Sequence, residues 1–147
     1  ASMRSSSRPT DPWAEATMPS VPIMLNTYFP PNQPTSARCY DLGVALANAV
    51  SDLPGDRRVA VVGSGGLSHF VVDEEIDRQV IEAMRAQDAE ALRSLPEHRL
   101  DSGTSEIRNW ITVGGASEHL STQWVSYVPA YRSPAGTGVG LAFGVWS

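Results

Sequence analysis

Lysine is absent from this chain of 147 residues, and all 11 basic residues are arginine. Against 16 acidic residues they leave a net charge of -5. No basic stripe interleaved with aromatics is present, which argues against a nucleic-acid partner. Cysteine occurs once, at Cys39, which excludes an internal disulfide and a thiolate metal cluster. Cys39 lies among helix-forming residues and reads as a small buried hydrophobe rather than a nucleophile. No apolar run approaches the ~20 residues needed to cross a bilayer, so no membrane partner is expected. The first twenty residues lack an apolar core of the signal-peptide kind, and a cytoplasmic location is the expectation. No internal repeat is visible.

What is present suits one globular domain. Hydrophobic residues make up 41% and charged residues 18%. Residues 1–20, rich in Ser, Pro and Arg, read as a linker or surface segment, with Trp13 a candidate pin to the body. Residues 21–147 read as the folded part. An opening so poor in structure suggests a chain that begins partway into a larger architecture.

The pattern predicts an α/β protein: a mostly parallel or mixed central sheet flanked by helices, an α/β sandwich. Residues 21–27 read as a short strand, with Pro22 near its start. A helix is predicted over 35–51, because Cys39, Tyr40, Gly43, Leu46, Ala47 and Val50 form one stripe. A strand follows over 58–62. Strand, helix, strand is a βαβ unit with a right-handed crossover and parallel strands. Asn26, Thr27 and the stretch 63–69 should then emerge at one sheet edge and wall one pocket. Asp73-Glu74-Glu75 opens the next helix, whose buried stripe is Ile76, Val80, Ile81 and Met84. Asp88 is placed to cap a short helix ending near Leu95-Pro96. A further helix starts at Glu106 and should stop at Gly114-Gly115. Residues 123–131 and 138–146 read as two more strands.

The most informative stretch is Val59-Ala60-Val61-Val62-Gly63-Ser64-Gly65-Gly66-Leu67-Ser68-His69. Apolar residues run straight into glycines, where the backbone must take φ > 0 or approach something closely. A histidine follows, and imidazole both gives and takes protons near neutral pH. Four readings compete. One is a tight turn with a packing or capping His. Another is a dinucleotide fingerprint, but Ser68 stands where G-x-G-x-x-G needs its third glycine, and no acidic residue ends a following strand. A nucleophile elbow fails because Val62, not Gly, stands two residues before Ser64.

The fourth rests on resemblance. Gly63-Ser64-Gly65-Gly66-Leu67-Ser68-His69 resembles the segment that carries the catalytic histidine in class III extradiol ring-cleavage dioxygenases, the protocatechuate 4,5-dioxygenase-like catalytic subunits. Ser105-Glu106-Ile107-Arg108-Asn109-Trp110 is similar to the segment that carries the family's metal-ligating Glu. Pro34-Thr35-Ser36-Ala37-Arg38-Cys39-Tyr40-Asp41-Leu42-Gly43 is similar to its loop-to-helix junction. The likeness spans most of residues 21–147.

The resemblance implies an enzyme of aromatic compound degradation that opens a catechol-type substrate with dioxygen. It implies Fe(II) as cofactor, with two imidazoles and one carboxylate on one face and open positions for substrate and oxygen. Glu106 would be the carboxylate ligand. His69, not a ligand, would move the catechol proton. Asn26, Thr27, Ser64 and Gly66 would line the substrate site. Without the resemblance, Glu106 reads simply as an acid in the first turn of a helix capped by Thr104 or Ser105.

The family's two histidine ligands belong to its N-terminal half. His98 and His119 sit in no matching motif and read as solvated or capping. The expected partner is therefore the N-terminal half of the catalytic subunit or a companion chain, in an oligomeric assembly. Ser133-Pro134-Ala135-Gly136-Thr137-Gly138 also departs from the family, since Ala135 and Gly136 offer no polar side chain to a substrate carboxylate. Two other functions stay open: a non-catalytic partner subunit or binding module of the same fold, and a nucleotide-binding α/β domain using the glycine turn.

Overall fold

In the computed structural model, which describes residues 19–147, helix α1 (Ser36–Ser51) starts where Thr35 caps it. Thr35 Oγ1 accepts the Arg38 N–H, satisfying one of the amides a helix start leaves open. Glu97 supplies a second acceptor, to the Ser36 N–H at 2.6 Å. Helix α2 (Glu74–Ala86) is capped by Asp73, with Glu74, Glu75 and Asp77 in the first turn, where the helix dipole favours acids. Its expected stripe of Ile76, Val80, Ile81 and Met84 is buried. Asp88 caps the short α3 (Ala89–Arg93), which ends sooner than the expected Leu95-Pro96. Two single turns of 3-10 helix, Glu97–Arg99 and Ser102–Thr104, lead to α4 (Ile107–Ala116).

Helices α1 and α4 lie closer than side chains would permit. A Cβ on Gly43 would stand 2.0 Å from Thr112 O, and one on Gly115 2.1 Å from Tyr40 O. This corrects the expected stop at Gly114-Gly115, because α4 runs through both to Ala116. A mid-helix glycine costs about 1 kcal/mol against alanine. Backbone contact with α1 offsets that cost.

Three strands form one antiparallel sheet in the order β1 (His69–Val71), β3 (Thr137–Trp146), β2 (Thr122–Tyr131). The β2 and β3 ranges agree with the sequence pattern. Alternation puts Val125, Tyr127, Ala142 and Trp146 against the helices. Trp124, Val128, Leu141 and Phe143 point outward and are exposed.

The chain mixes helices and strands, as an α/β protein does, but the sheet it forms is antiparallel rather than mostly parallel. Residues 21–27 and 58–62, expected as a parallel pair, carry no ladder. Val21, Met24 and Val62 are 86%, 89% and 82% exposed. A strand buried on both faces needs neighbours at its edges and covering layers. Among the described residues neither segment has them. The shared-edge argument for a pocket therefore has no strand pair to rest on. Trp13 and nearly all of the 1–20 segment lie outside the described residues. No helix of the described residues is long and apolar enough to cross a membrane.

Candidate active site at the glycine turn

Glu106, Asn109 and Trp110 are spaced i, i+3, i+4, which puts them on one side of the α4 start. That side grips the glycine turn. Asn109 Nδ2 donates to Ser64 O at 2.8 Å and Trp110 Nε1 to Gly65 O at 3.1 Å. Gly66 N donates to Glu106 Oε2 at 3.2 Å. Glu106 occupies the N-cap position but makes no capping bond with its side chain. Thr104, one of the expected caps, donates to Arg99 O and Asp101 O instead.

The glycines are needed for close approach. Gly65 has φ +133°, and a Cβ there would stand 2.7 Å from Glu106 Oε2. A Cβ on Gly66 would stand 2.9 Å from His69 Nε2. The carboxylate on the Gly66 amide also repels phosphate, which removes the ground for a nucleotide site at this turn.

His69 opens β1 and pairs with Val139. It does not follow a central strand, as the sequence reading had it. Phe70 beside it has φ +68°, a left-handed conformation uncommon for an aromatic residue. Gly103 closes against the His69 carbonyl, where a Cβ would stand at 2.2 Å. Backbone contacts therefore pin His69 on both sides. Its Nε2 lies 3.2 Å from Glu106 Oε2. The alignment makes no hydrogen bond, and this nitrogen is covered yet unpartnered. The ring as a whole is 30% exposed and the Glu106 side chain 44%. No arginine pairs with Glu106 among the described residues.

Residues 12–142 match the family described as the catalytic LigB subunit of aromatic ring-opening dioxygenase. The chain belongs to that family. The resemblance read at the 63–69, 105–110 and 34–43 segments holds at that level. Gallate dioxygenase of Pseudomonas putida is 32% identical over 72% of this chain and 33% of its own length. A 2,3-dihydroxyphenylpropionate/2,3-dihydroxicinnamic acid 1,2-dioxygenase of Rhodococcus jostii is 36% identical over 58% of the chain and 28% of its own. A Rhodococcus enzyme of the same name is 32% identical over 73% of the chain and 34% of its own. This LigB-family chain thus spans about a third of the length of the curated relatives it matches.

His69 also borders an open cleft of about 360 Å³, with Phe70, Ala130, Arg132, Val139 and Leu141 around it. Arg132 has no ion-pair partner among the described residues. Of the expected substrate contacts, Gly66 donates its N–H to the Glu106 carboxylate, whereas Ser64 O accepts from Asn109 Nδ2. Asn26 closes a local turn, accepting Phe29 N–H and donating to Phe29 O. Thr27 O is held by Arg108, two residues beyond Glu106 on α4. Arg108 is 2% exposed and also bonds Pro34 O, Leu100 O and Glu97. It ties the 27–34 loop to the helix that carries Glu106. Neither Asn26 nor Thr27 makes a side-chain hydrogen bond to His69 or Glu106.

Cys39 is fully buried, and burial pushes its thiol up to about 11, so it is no nucleophile. His98 and His119 are exposed and stand apart from the turn. Sequence reasoning missed Asn109 and Arg108, whose polar side chains gave no signal beyond their place on α4. The described residues hold no cluster of three or more His, Cys, Asp or Glu fit for a metal ion. Glu106 offers one carboxylate of the kind that holds a metal, and His69 beside it an unpartnered imidazole nitrogen of the kind that moves a proton.

Proposed function

We propose that this chain forms one side of the active site of a cytoplasmic, non-haem Fe(II)-dependent dioxygenase that opens catechol-type rings beside the two hydroxyls, the extradiol or meta mode. The carrying observation is His69 Nε2, covered and unpartnered, 3.2 Å from the Glu106 carboxylate. Structural packing would satisfy such a nitrogen, and a reacting substrate supplies what packing does not.

Glu106 is the carboxylate that this chain offers to iron, and Gly66 N–H fixes its Oε2. Iron, when bound, supplies chelation of the vicinal diol and activation of dioxygen. His69 takes a proton from a catechol hydroxyl and returns it as the ring opens. Both oxygen atoms enter the product and one ring carbon–carbon bond breaks. Arg132, on the His69 cleft, faces a substrate carboxylate. Ser64 and Gly66 border the ring from the turn, and Asn26 and Thr27 shape the far wall through the Arg108-held loop.

The remaining donors come from polypeptide corresponding to the other two-thirds of the relatives' length, in the same protein or a companion chain. That polypeptide also gives the bare segments 21–27 and 58–62 their strand partners and completes a parallel sheet. A non-catalytic partner subunit of the same fold is the rival. Oxygen uptake by the complete, iron-loaded protein with gallate or 2,3-dihydroxyphenylpropionate separates the two. The proposal expects consumption of one O2 per ring and a product cleaved beside the diol. No uptake with iron bound, or cleavage between the hydroxyls, would overturn it.

A further inference from the structure

Asp77 lies on the apolar stripe of α2, one turn from Val80 and Ile81, and is fully buried. No cation pairs with it among the described residues. A carboxylate is costly in such a place, and an aliphatic residue would suit the stripe better. Its oxygens are instead spent on Ser68, the residue before His69. Oδ1 accepts the Ser68 N–H at 2.9 Å, and Oδ2 accepts the Ser68 hydroxyl at 2.7 Å. Oδ2 also accepts the Tyr127 hydroxyl from β2 at 2.8 Å. The Ser68 hydroxyl in turn accepts the Asp73 N–H at 3.0 Å. Gly140 N–H donates to the Ser68 carbonyl at 2.7 Å. Every polar atom of Ser68 is thus fixed. Strand β3 leaves room for this, since a Cβ on Gly140 would stand 2.0 Å from Asp77 Oδ2 and 2.9 Å from Ser68 Oγ.

We infer that Asp77 is a positioning residue for His69: its carboxylate locks Ser68, and through Ser68 sets where the imidazole stands against Glu106 and the substrate. The inference rests on the acid–base reading of His69 given above. A carboxylate is required because both of its oxygens face donors, Oδ1 the Ser68 N–H and Oδ2 two hydroxyls. An asparagine must turn its NH2 to one side, where it either opposes the Ser68 N–H, which cannot reverse, or forces both hydroxyls to reverse. Proton transfer is sensitive to such a shift, and an ångström of misplacement costs about 100-fold in rate.

The test is a double-mutant cycle in the complete, iron-loaded protein, using Asp77→Asn, His69→Gln and the double variant. Oxygen uptake is followed with gallate and 2,3-dihydroxyphenylpropionate as probes, beside iron content and thermal midpoint. Asp77→Asn should lower kcat about 10- to 100-fold with KM and iron content held. The double variant should turn over no more slowly than His69→Gln alone, within about twofold. Tyr127→Phe removes one of the three hydrogen bonds. It should show a smaller kcat loss of the same kind, which vanishes in the His69→Gln background, so the inference stays testable if Asp77→Asn fails to fold. Losses that multiply in the double variants, or an effect on KM or iron rather than kcat, would overturn the positioning role while leaving His69 as the base. Full turnover by His69→Gln would overturn the acid–base reading itself.

Discussion

His69 Nε2 stands 3.2 Å from Glu106 Oε2 and makes no hydrogen bond with it. The two side chains are brought there by elements fixed separately. Glu106 leaves the start of α4, which is clamped to the turn through Asn109 and Trp110. His69 opens β1, with the left-handed Phe70 after it and Gly103 against its carbonyl. The backbone thus holds imidazole and carboxylate side by side at contact distance, with the imidazole nitrogen left unpaired.

Gly65 separates strain from contact when compared with Gly55. Both have positive φ, +133° and +84°, but only Gly65 has the Glu106 carboxylate where a Cβ would stand; Gly55 has nothing within 4 Å. Gly65→Ala and Gly55→Ala should each lower stability by about 1 kcal/mol or more. Only Gly65→Ala should also lower iron retention and turnover. Denaturation midpoints and oxygen uptake read the two effects, and equal turnover in both variants would mean the turn does not position Glu106.

Arg132 is the residue proposed to meet a substrate carboxylate. It borders the His69 cleft without a partner among the described residues. Losing a charged hydrogen bond costs about 1.5–3 kcal/mol, or roughly 10- to 100-fold in binding. Arg132→Ala should therefore raise KM by that factor for gallate, which carries a carboxylate, and leave pyrogallol nearly unchanged. Equal effects on both compounds would remove Arg132 from carboxylate recognition.

Asp77 gives the fold a pH dependence. Burial raises its carboxyl above the ordinary aspartate value of 3.8, and the bonds from Ser68 and Tyr127 only partly oppose it. From 3.8 upward the unfolded chain has lost the proton while the folded chain still holds it. Stability from this group is therefore full below that value and is lost as pH rises through the raised one. Asp77→Asn has no such proton. The stability difference between wild type and variant should shrink with rising pH across this window, measured by denaturant midpoints at a series of pH values. A difference that grows with pH would reverse the sign.

The features legible in the sequence were those set by local chemistry. Asp88 acts as a cap as its place predicts, and the acids from Asp73 open α2, because a helix start depends on only the next few residues. The stripe on α2 follows from its period. The glycine turn was read correctly as a close approach, though only the structure names Glu106 and His69 as what is approached. Strand pairing was not legible. The runs 21–27 and 58–62 are apolar enough for burial, but composition does not say which neighbour a strand takes or where it lies. Gly114-Gly115 misled because a helix stop and a helix contact use the same residue, and Gly43 on the facing helix decides between them. Asp77 did leave a signal: an acid three, four and seven residues before Val80, Ile81 and Met84, on their buried face.

The central claim is that Glu106 holds the metal and His69 moves the proton. Iron content and oxygen uptake of Glu106→Ala and His69→Gln, measured side by side in the complete protein, test it most directly. The account predicts that Glu106→Ala loses iron and activity together. His69→Gln should keep its iron and lose about 10²–10⁴ in turnover, the range for removing a positioned proton-transfer group. Iron lost from His69→Gln, or retained in Glu106→Ala, would contradict it.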